Sequence, residues 1–170
     1  MQFISLNQTN HNYWQKIYHE SFPAGEQIPF QNLKQKATDN NQIKMVVITD
    51  GEQNVGISYF VDLKEKAFVL YLAVDQLFRG QGVGGKILSV LKARYPKGII
   101  LESESTMENV DDQKQREARY HFYLKNGFID TKKIAHNMES DFHLLTSNLA
   151  CSVDDYLDSM KILGQETSVI

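Results

Sequence analysis

The chain has 170 residues, 42% apolar or aromatic and 23% charged, with 18 Lys and Arg against 21 Asp and Glu and a formal net charge of −3. That is material for one compact domain, and it excludes wholesale disorder and a globally basic nucleic-acid or anionic-membrane binder. A single cysteine, Cys151, excludes a disulfide scaffold, and the longest apolar run, Ala67–Val74, is too short for a membrane span of about 20 residues. The first residues lack a basic start and a long apolar stretch, so a cytoplasmic location is expected.

Met1 to Asn7 reads as a short strand, and Asn10 to Phe22 as a helix broken at Phe22-Pro23-Ala24-Gly25. A second helix is predicted over Phe30 to Asp39. Three β-rich runs follow, Ile43–Thr49, Val55–Leu63 and Ala67–Val74, separated by Asp50-Gly51 and Lys64-Glu65-Lys66 in the manner of an antiparallel meander. The grammar then changes. A glycine cluster, Gly80 to Gly85, opens a helix whose apolar residues Val83, Ile87, Leu88 and Leu91 recur at helical spacing, and Pro96 and Gly98 stop it. Ile99-Ile100-Leu101 begins a strand, and Asp111 to Asn126 is a charged helix ended by Gly127. Strands are predicted over Phe128–Met138 and Phe142–Leu149, with Glu139-Ser140-Asp141 between them. Val153, Tyr156, Leu157, Met160 and Leu163 then form the apolar stripe of a last helix. The order gives one mixed α/β domain and does not suit an all-parallel, doubly wound sheet.

Closely spaced glycines at a helix start let backbone N–H groups converge on one concavity, and the helix dipole makes phosphate the natural ligand. Three phosphate patterns overlap in Arg79-Gly80-Gln81-Gly82-Val83-Gly84-Gly85-Lys86. Gly80, Gly82 and Gly85 satisfy the dinucleotide fingerprint G-x-G-x-x-G, with Glu102 at a ribose-binding distance downstream. However, five residues separate the preceding strand from the first glycine. Gly80 to Lys86 also fits the start of a triphosphate loop, but Ile87 has no hydroxyl to hold magnesium. The third pattern is R-x-x-G-x-G, met by Arg79, Gly82 and Gly84 after the strand end Leu72-Ala73-Val74.

That third pattern resembles the acetyl-CoA site of the GNAT-type N-acetyltransferases. The resemblance implies that the amides around Gly80, Gln81, Gly82, Val83, Gly84 and Gly85 face the CoA pyrophosphate, with Arg79 at the basic position. It also implies that the backbone of Leu72, Ala73 and Val74 pairs with the pantetheine arm. A second motif, Phe122-Tyr123-Leu124-Lys125-Asn126-Gly127-Phe128, is similar to the F-Y-x-x-x-G-F of the same superfamily, whose tyrosine faces the CoA sulfur. Arg116, Arg119, Tyr120 and Tyr123 lie on one helical stripe able to line a groove, with Ala118 and Phe122 offset to pack inward. Many family members carry asparagine where this chain has Arg116, so a guanidinium contact to a CoA phosphate stands in its place, alongside Arg119. The resemblance covers roughly Val55 to Phe128. It implies a GNAT-like fold with a central mixed, mostly antiparallel sheet flanked by helices.

Acetyl transfer to an amine requires a neutral nucleophile and a proton for the departing thiolate. A tyrosine hydroxyl, with a pKa of about 10, stays protonated at neutral pH, which suits Tyr123 as general acid. Glu102 and Glu104 share one strand face and are the candidate bases. Glu26, between two prolines, lies where the family shapes its acceptor pocket. No histidine or cysteine spacing suggests a metal, and Cys151 has no evident partner for a covalent route.

The expected protein is therefore a single domain over residues 1–170, with its CoA-binding core about 55–128, acceptor-side helices in 1–40 and a C-terminal helix at 151–164. Its expected activity is acetyl-CoA-dependent N-acetylation of a primary amine on a small molecule or peptide, by direct attack in a ternary complex. No metal, nucleic acid or membrane is expected to take part, and the chain is read as a monomer or homodimer. A non-catalytic acyl-CoA sensor and a nicotinamide dinucleotide enzyme are the alternatives.

Overall fold

A computed structural model describes residues 1–107 and 110–170. In chain order the elements are β1 (Gln2–Ser5), α1 (His11–Ser21), α2 (Phe30–Asp39), β2 (Ile43–Asp50), β3 (Gln53–Asp62), β4 (Lys66–Val74), α3 (Val83–Arg94), β5 (Gly98–Glu104), α4 (Gln113–Lys125), β6 (Ile129–Asn137), β7 (Ser140–Thr146), α5 (Val153–Leu163) and β8 (Ser168–Val169). Short 3-10 turns, Ala24–Glu26 and Gln76–Phe78, interrupt the connections.

Among the described residues, eight strands form one sheet in the order β1-β2-β3-β4-β5-β7-β6-β8. The meander β2-β3-β4 is present as expected. β4 and β5 make the parallel pair, and the other strand pairs are antiparallel. A mixed, mostly antiparallel sheet follows, and the parallel sheet that a doubly wound dinucleotide fold needs does not form.

Alternation along the strands separates two cores. On one face Trp14 of α1, Leu33 of α2 and Tyr156 of α5 pack with Ile57, Phe68 and Tyr71. On the other, Ile87, Leu88 and Leu91 of α3 and Tyr123 of α4 pack with Phe60, Val69 and Leu101. The helices are amphipathic for this reason: α1 buries Trp14, Ile17 and Tyr18, at i, i+3 and i+4. α5 is fixed at both ends, by a Ser152–Asp155 capping box and by Gly164 in the left-handed conformation.

Several expected boundaries shift. β7 runs Ser140–Thr146 rather than 142–149, because the β6–β7 turn tightens onto Met138 and Glu139, both at positive φ. α4 starts at Gln113, and β6 carries an irregularity between Asp130 and Ile134. The two-residue strand β8, too short to carry a periodic signal, pairs with β6 through Ala135–Val169 and His136–Ser168.

One irregularity builds the site. In the β3–β4 ladder Tyr59 opposes Tyr71 but Phe60 opposes Val69, leaving Leu70 as an extra residue. Leu70 and Tyr71 consequently both face the α1 side. Such a bulge bends its strand and increases local twist. The parallel ladder between β4 and β5 ends at the same place, with Val69 opposite Leu101. Beyond it the two strands part.

Candidate active site

The parting strands open a cleft of about 870 Å³. Its floor is the β4 segment from Val69 to Val74, which includes the expected Leu72, Ala73 and Val74. These residues keep their pairing to β3 but lie past the last pair with β5, so β4 presents an open strand edge there.

One mouth of the cleft is the glycine turn. Gly80 and Gly82 adopt φ of 75° and 78°, a conformation that disfavours any residue with a Cβ. Gly82 is the N-cap of α3 and no side chain caps the helix, so the N–H groups of Val83, Gly84 and Gly85 have no intrahelical acceptor. Gly80, Gly82, Val83, Gly84 and Gly85 all line the cleft. Gln81 does not; its amide donates back to the Leu77 carbonyl at 3.2 Å. Lys86, which a triphosphate loop would aim at phosphate, is instead paired with Asp50 at 2.8 Å. Arg79 lines the cleft but bends over the strand end, its Nε donating to the Val74 carbonyl at 3.0 Å and its Nη2 lying 3.5 Å from Ser21 Oγ.

Asp75 fixes this connection. Its Oδ1 accepts from the Leu77 N–H at 3.0 Å, and its Oδ2 accepts from the Tyr13 hydroxyl at 3.0 Å, tying the turn to α1. The signal was legible as an Asp before a short turn, since aspartate caps backbone N–H groups two residues on.

The opposite wall comes from α4. Arg119 and Tyr123 face the cleft, but the rest of the expected stripe turns elsewhere. Tyr120 donates to Asp130 at 2.7 Å and stacks near His143, and Arg116 pairs with Asp112 at 2.9 Å within the first turn of α4. Ala118, expected to pack inward, is exposed on the cleft wall instead. Phe122 is half-buried there and closes against Gly84, a contact between helices that spacing within one helix does not encode.

Tyr123 is 7% exposed, flanked by Phe128 with ring centroids 5.7 Å apart. Burial pushes its hydroxyl up to about 12, with the Arg119 charge opposing and the Glu104 charge reinforcing the rise. It therefore holds its proton throughout the neutral range. Glu104 is buried and accepts a charge-assisted hydrogen bond from Arg119. Burial works to depress the Arg119 guanidinium, but Glu104's charge and hydrogen bond outweigh it and hold the group firmly protonated.

Glu102 and Glu26 also lie on the cleft. Glu102 accepts at Oε1 from Tyr156 at 2.5 Å and from Asn137 at 2.7 Å. Burial raises its carboxyl to about 7 against those two donors. Glu26 sits on the turn Ala24–Glu26 and is also raised to about 7, first by burial and then by the Glu104 charge, with Arg119 and Arg116 opposing. Tyr71 positions that turn: its hydroxyl donates to the Glu26 carbonyl at 2.6 Å and lies 3.4 Å from the Ile28 N–H. Asn137, Tyr156 and Tyr71 carry no local signal, because an aromatic or amide residue in an apolar run reads as core.

Among the described residues, no group of three or more His, Cys, Asp and Glu is placed to hold a metal ion. No helix there is long and apolar enough to cross a membrane.

The chain resembles known proteins in both sequence and fold. It is 32% identical over 117 residues to YjbC of Bacillus subtilis, an alignment covering 68% of this chain and 59% of that protein, so the chain spans about three fifths of its relative's length. Among solved structures, a GNAT-family protein from Bacteroides thetaiotaomicron superposes with a TM-score of 0.77 over 93% of both chains at 21% identity. The ribosomal-protein-S18-alanine N-acetyltransferase of Escherichia coli superposes with a TM-score of 0.60 at 15% identity, over 89% of this chain and 95% of its own. At those identities the likeness is one of fold. The sequence profile of the GNAT acetyltransferase domain matches residues 41–130, from the start of the meander to the strand after α4, and the chain belongs to the GNAT acetyltransferase family.

Proposed function

We propose that the protein is an N-acetyltransferase that moves an acetyl group from acetyl-CoA to a primary amine of a small molecule or peptide, by direct attack with both substrates bound. The observation that carries this reading is the continuity of one cleft from the glycine turn, along the open edge of β4, to Tyr123.

The residues fit the donor. The uncapped N–H groups of Val83, Gly84 and Gly85 suit a diphosphate, and the positive φ of Gly80 and Gly82 shapes the turn that presents them. The free edge of β4 at Leu72–Val74 suits a ligand bearing amides of its own. Acetyl-CoA brings the activated thioester when bound. Arg79, already oriented by Val74 and Ser21, adds positive charge at the diphosphate end.

Tyr123 keeps its proton for a departing thiolate, whose parent thiol has a pKa of about 8.5 by analogy with cysteine. The carboxyls of Glu26 and Glu102, both near 7, can take a proton from an ammonium and attract it beforehand. The Glu104 charge, close enough to act on Glu26, adds to this acidic surround, which favours a cationic amine.

Acetyl-CoA at 100 times its Kd adds about 2.7 kcal/mol of stability. In a chain of this length the melting temperature then rises by roughly 5–10 °C. Thiol release from acetyl-CoA must also depend on an added amine. An unmoved melting transition refutes donor binding, and amine-independent or absent thiol release refutes the transferase.

A further inference from the structure

Glu102 is held by a set of hydroxyl and amide groups that donor binding does not require. We infer that Tyr156 of α5, Asn137 of β6 and Thr167 beside β8 form a positioning relay that anchors Oε1 of Glu102 and leaves Oε2 to accept the proton of the acceptor amine. The inference rests on the acetyl-transfer reading above and says which of its carboxyls is the base.

The geometry is specific. Both contacts to Glu102 fall on one oxygen, from Tyr156 at 2.5 Å and Asn137 at 2.7 Å, while Glu102 itself lines the cleft. The Asn137 amide also reaches the Tyr156 hydroxyl at 3.2 Å. Behind it, Tyr156 and Thr167 share a hydrogen bond of 2.9 Å in which either hydroxyl can donate. Thr167 in turn donates to the His136 carbonyl at 3.2 Å.

Counting protons along this line shows what it can do. When Glu102 is ionised, Tyr156 donates to it and Thr167 can donate to Tyr156. When the amine's proton arrives on Oε2, Tyr156 and Asn137 go on donating to Oε1, now the carbonyl oxygen of the neutral acid, and Thr167 can go on donating to Tyr156. Neither protonation state leaves a donor stranded, while the donors on Oε1 favour the ionised one. A base that takes a proton from nitrogen and later releases it to solvent needs both states accommodated.

The other carboxyls lack this. Glu104 is committed to Arg119, and among the described residues no hydrogen bond holds the Glu26 carboxylate, although Tyr71 binds the backbone of its turn. The groups packed against Glu102 are Tyr156 and Asn137; Glu26, Glu104, Arg119 and Tyr123 share its cleft. His136, exposed and bound to Asp141 at 2.7 Å, contributes only its carbonyl.

Two readouts test the relay: the pH profile of kcat/KM, with acetyl-CoA and an amine chosen for turnover from a polyamine, an aromatic amine and an alanyl peptide, and the carbon-13 titration of the Glu102 carboxyl in the free protein. Tyr156→Phe removes a donor to the ionised form, so both midpoints move to higher pH by about 0.5–1 unit, and kcat/KM at pH 6 falls roughly three- to tenfold. Thr167→Ala gives a smaller shift in the same direction, and Thr167→Ser restores the wild-type profile. Glu102→Gln abolishes the acid limb. The relay is overturned if folded Tyr156→Phe and Thr167→Ala leave both midpoints in place, or if the acid limb disappears in Glu26→Gln and survives in Glu102→Gln. Should Tyr156→Phe not fold, the Thr167 pair decides alone, since Thr167 touches neither Glu102 nor the cleft. Absence of wild-type turnover with every amine counts against the acetyl-transfer reading, while the carboxyl titration, which needs no turnover, still decides whether the relay tunes Glu102.

Discussion

A Cβ built on Gly84 would lie 2.9 Å from Cζ of Phe122, so the first turn of α3 and the cleft-facing side of α4 touch through a glycine. The contact sets how closely the two helices approach around the candidate diphosphate site. Gly84→Ala forces the aromatic ring or the helix to move, and overpacking of this kind destabilises by about 1–3 kcal/mol. Urea denaturation will show that loss, and calorimetric titration will show weakened acetyl-CoA binding. Gly80→Ala introduces a Cβ into open space but at a φ of 75°, so its effect comes from backbone strain alone. Comparing the two variants separates helix approach from turn geometry.

Tyr123→Phe removes one oxygen from a side chain that stays buried and packed against Phe128. Folding and acetyl-CoA binding are expected to remain close to wild type. Turnover is expected to fall by about 10²-fold or more, the usual scale for loss of a general acid. Thiol release under saturating substrates measures it. A variant that retains full kcat would show that the departing thiolate is protonated by solvent.

Most of the architecture was readable because burial imposes periodicity. α2 and α5 fall on their expected residues, since Phe30 and Leu33, and Tyr156, Met160 and Leu163, repeat at helical spacing. The glycine turn was readable for another reason: positive φ restricts residue type at Gly80 and Gly82. What was hidden depends on register and on long-range contact. Nothing in the run Phe68–Leu72 marks Leu70 as the extra residue that bends β4 away from β5. The stripe on α4 also divides. Arg116 and Tyr120 share a helical face with Arg119 and Tyr123, but each found a nearer carboxylate, Asp112 and Asp130, and left the cleft. The pairing of Glu102 with Asn137 and Tyr156 spans 35 and 54 residues, beyond any local pattern.

Arg119 and Glu104 form a partly exposed cation on a buried anion, with side-chain exposures of 36% and 5%. Arg119→Met keeps the apolar stem and strands the carboxylate, which should destabilise the protein by about 1–3 kcal/mol at pH 7. Adding Glu104→Gln removes the stranded charge, so the double variant should recover much of that loss. Urea midpoints of the wild type, the two single variants and the double variant give the coupling directly. Additive effects would mean that solvent, not Arg119, compensates Glu104.

The raised carboxyl of Glu102 also makes a prediction about stability against pH. Its pKa is about 4.5 when the chain is unfolded and about 7 when folded, because burial outweighs the donors Tyr156 and Asn137. Between those values the folded state binds more protons than the unfolded state, so stability falls as pH rises. The contribution is fully present below about pH 4.5 and lost once pH passes 7, on the order of 3 kcal/mol across the window. Glu26 acts in the same direction. Asp130 and Asp155 act outside the window: burial raises each, but hydrogen bonds from Tyr120 and from Lys66 bring the net shift downward, so their contributions fade only in stronger acid. Glu102→Gln cannot titrate, and relative to the wild type it should gain stability steadily from pH 4.5 to pH 8. Urea denaturation at pH 4.5, 6 and 8 measures the difference. The reverse slope would mean that Tyr156 and Asn137 outweigh burial and keep Glu102 ionised, too weak a base to deprotonate an ammonium near neutral pH.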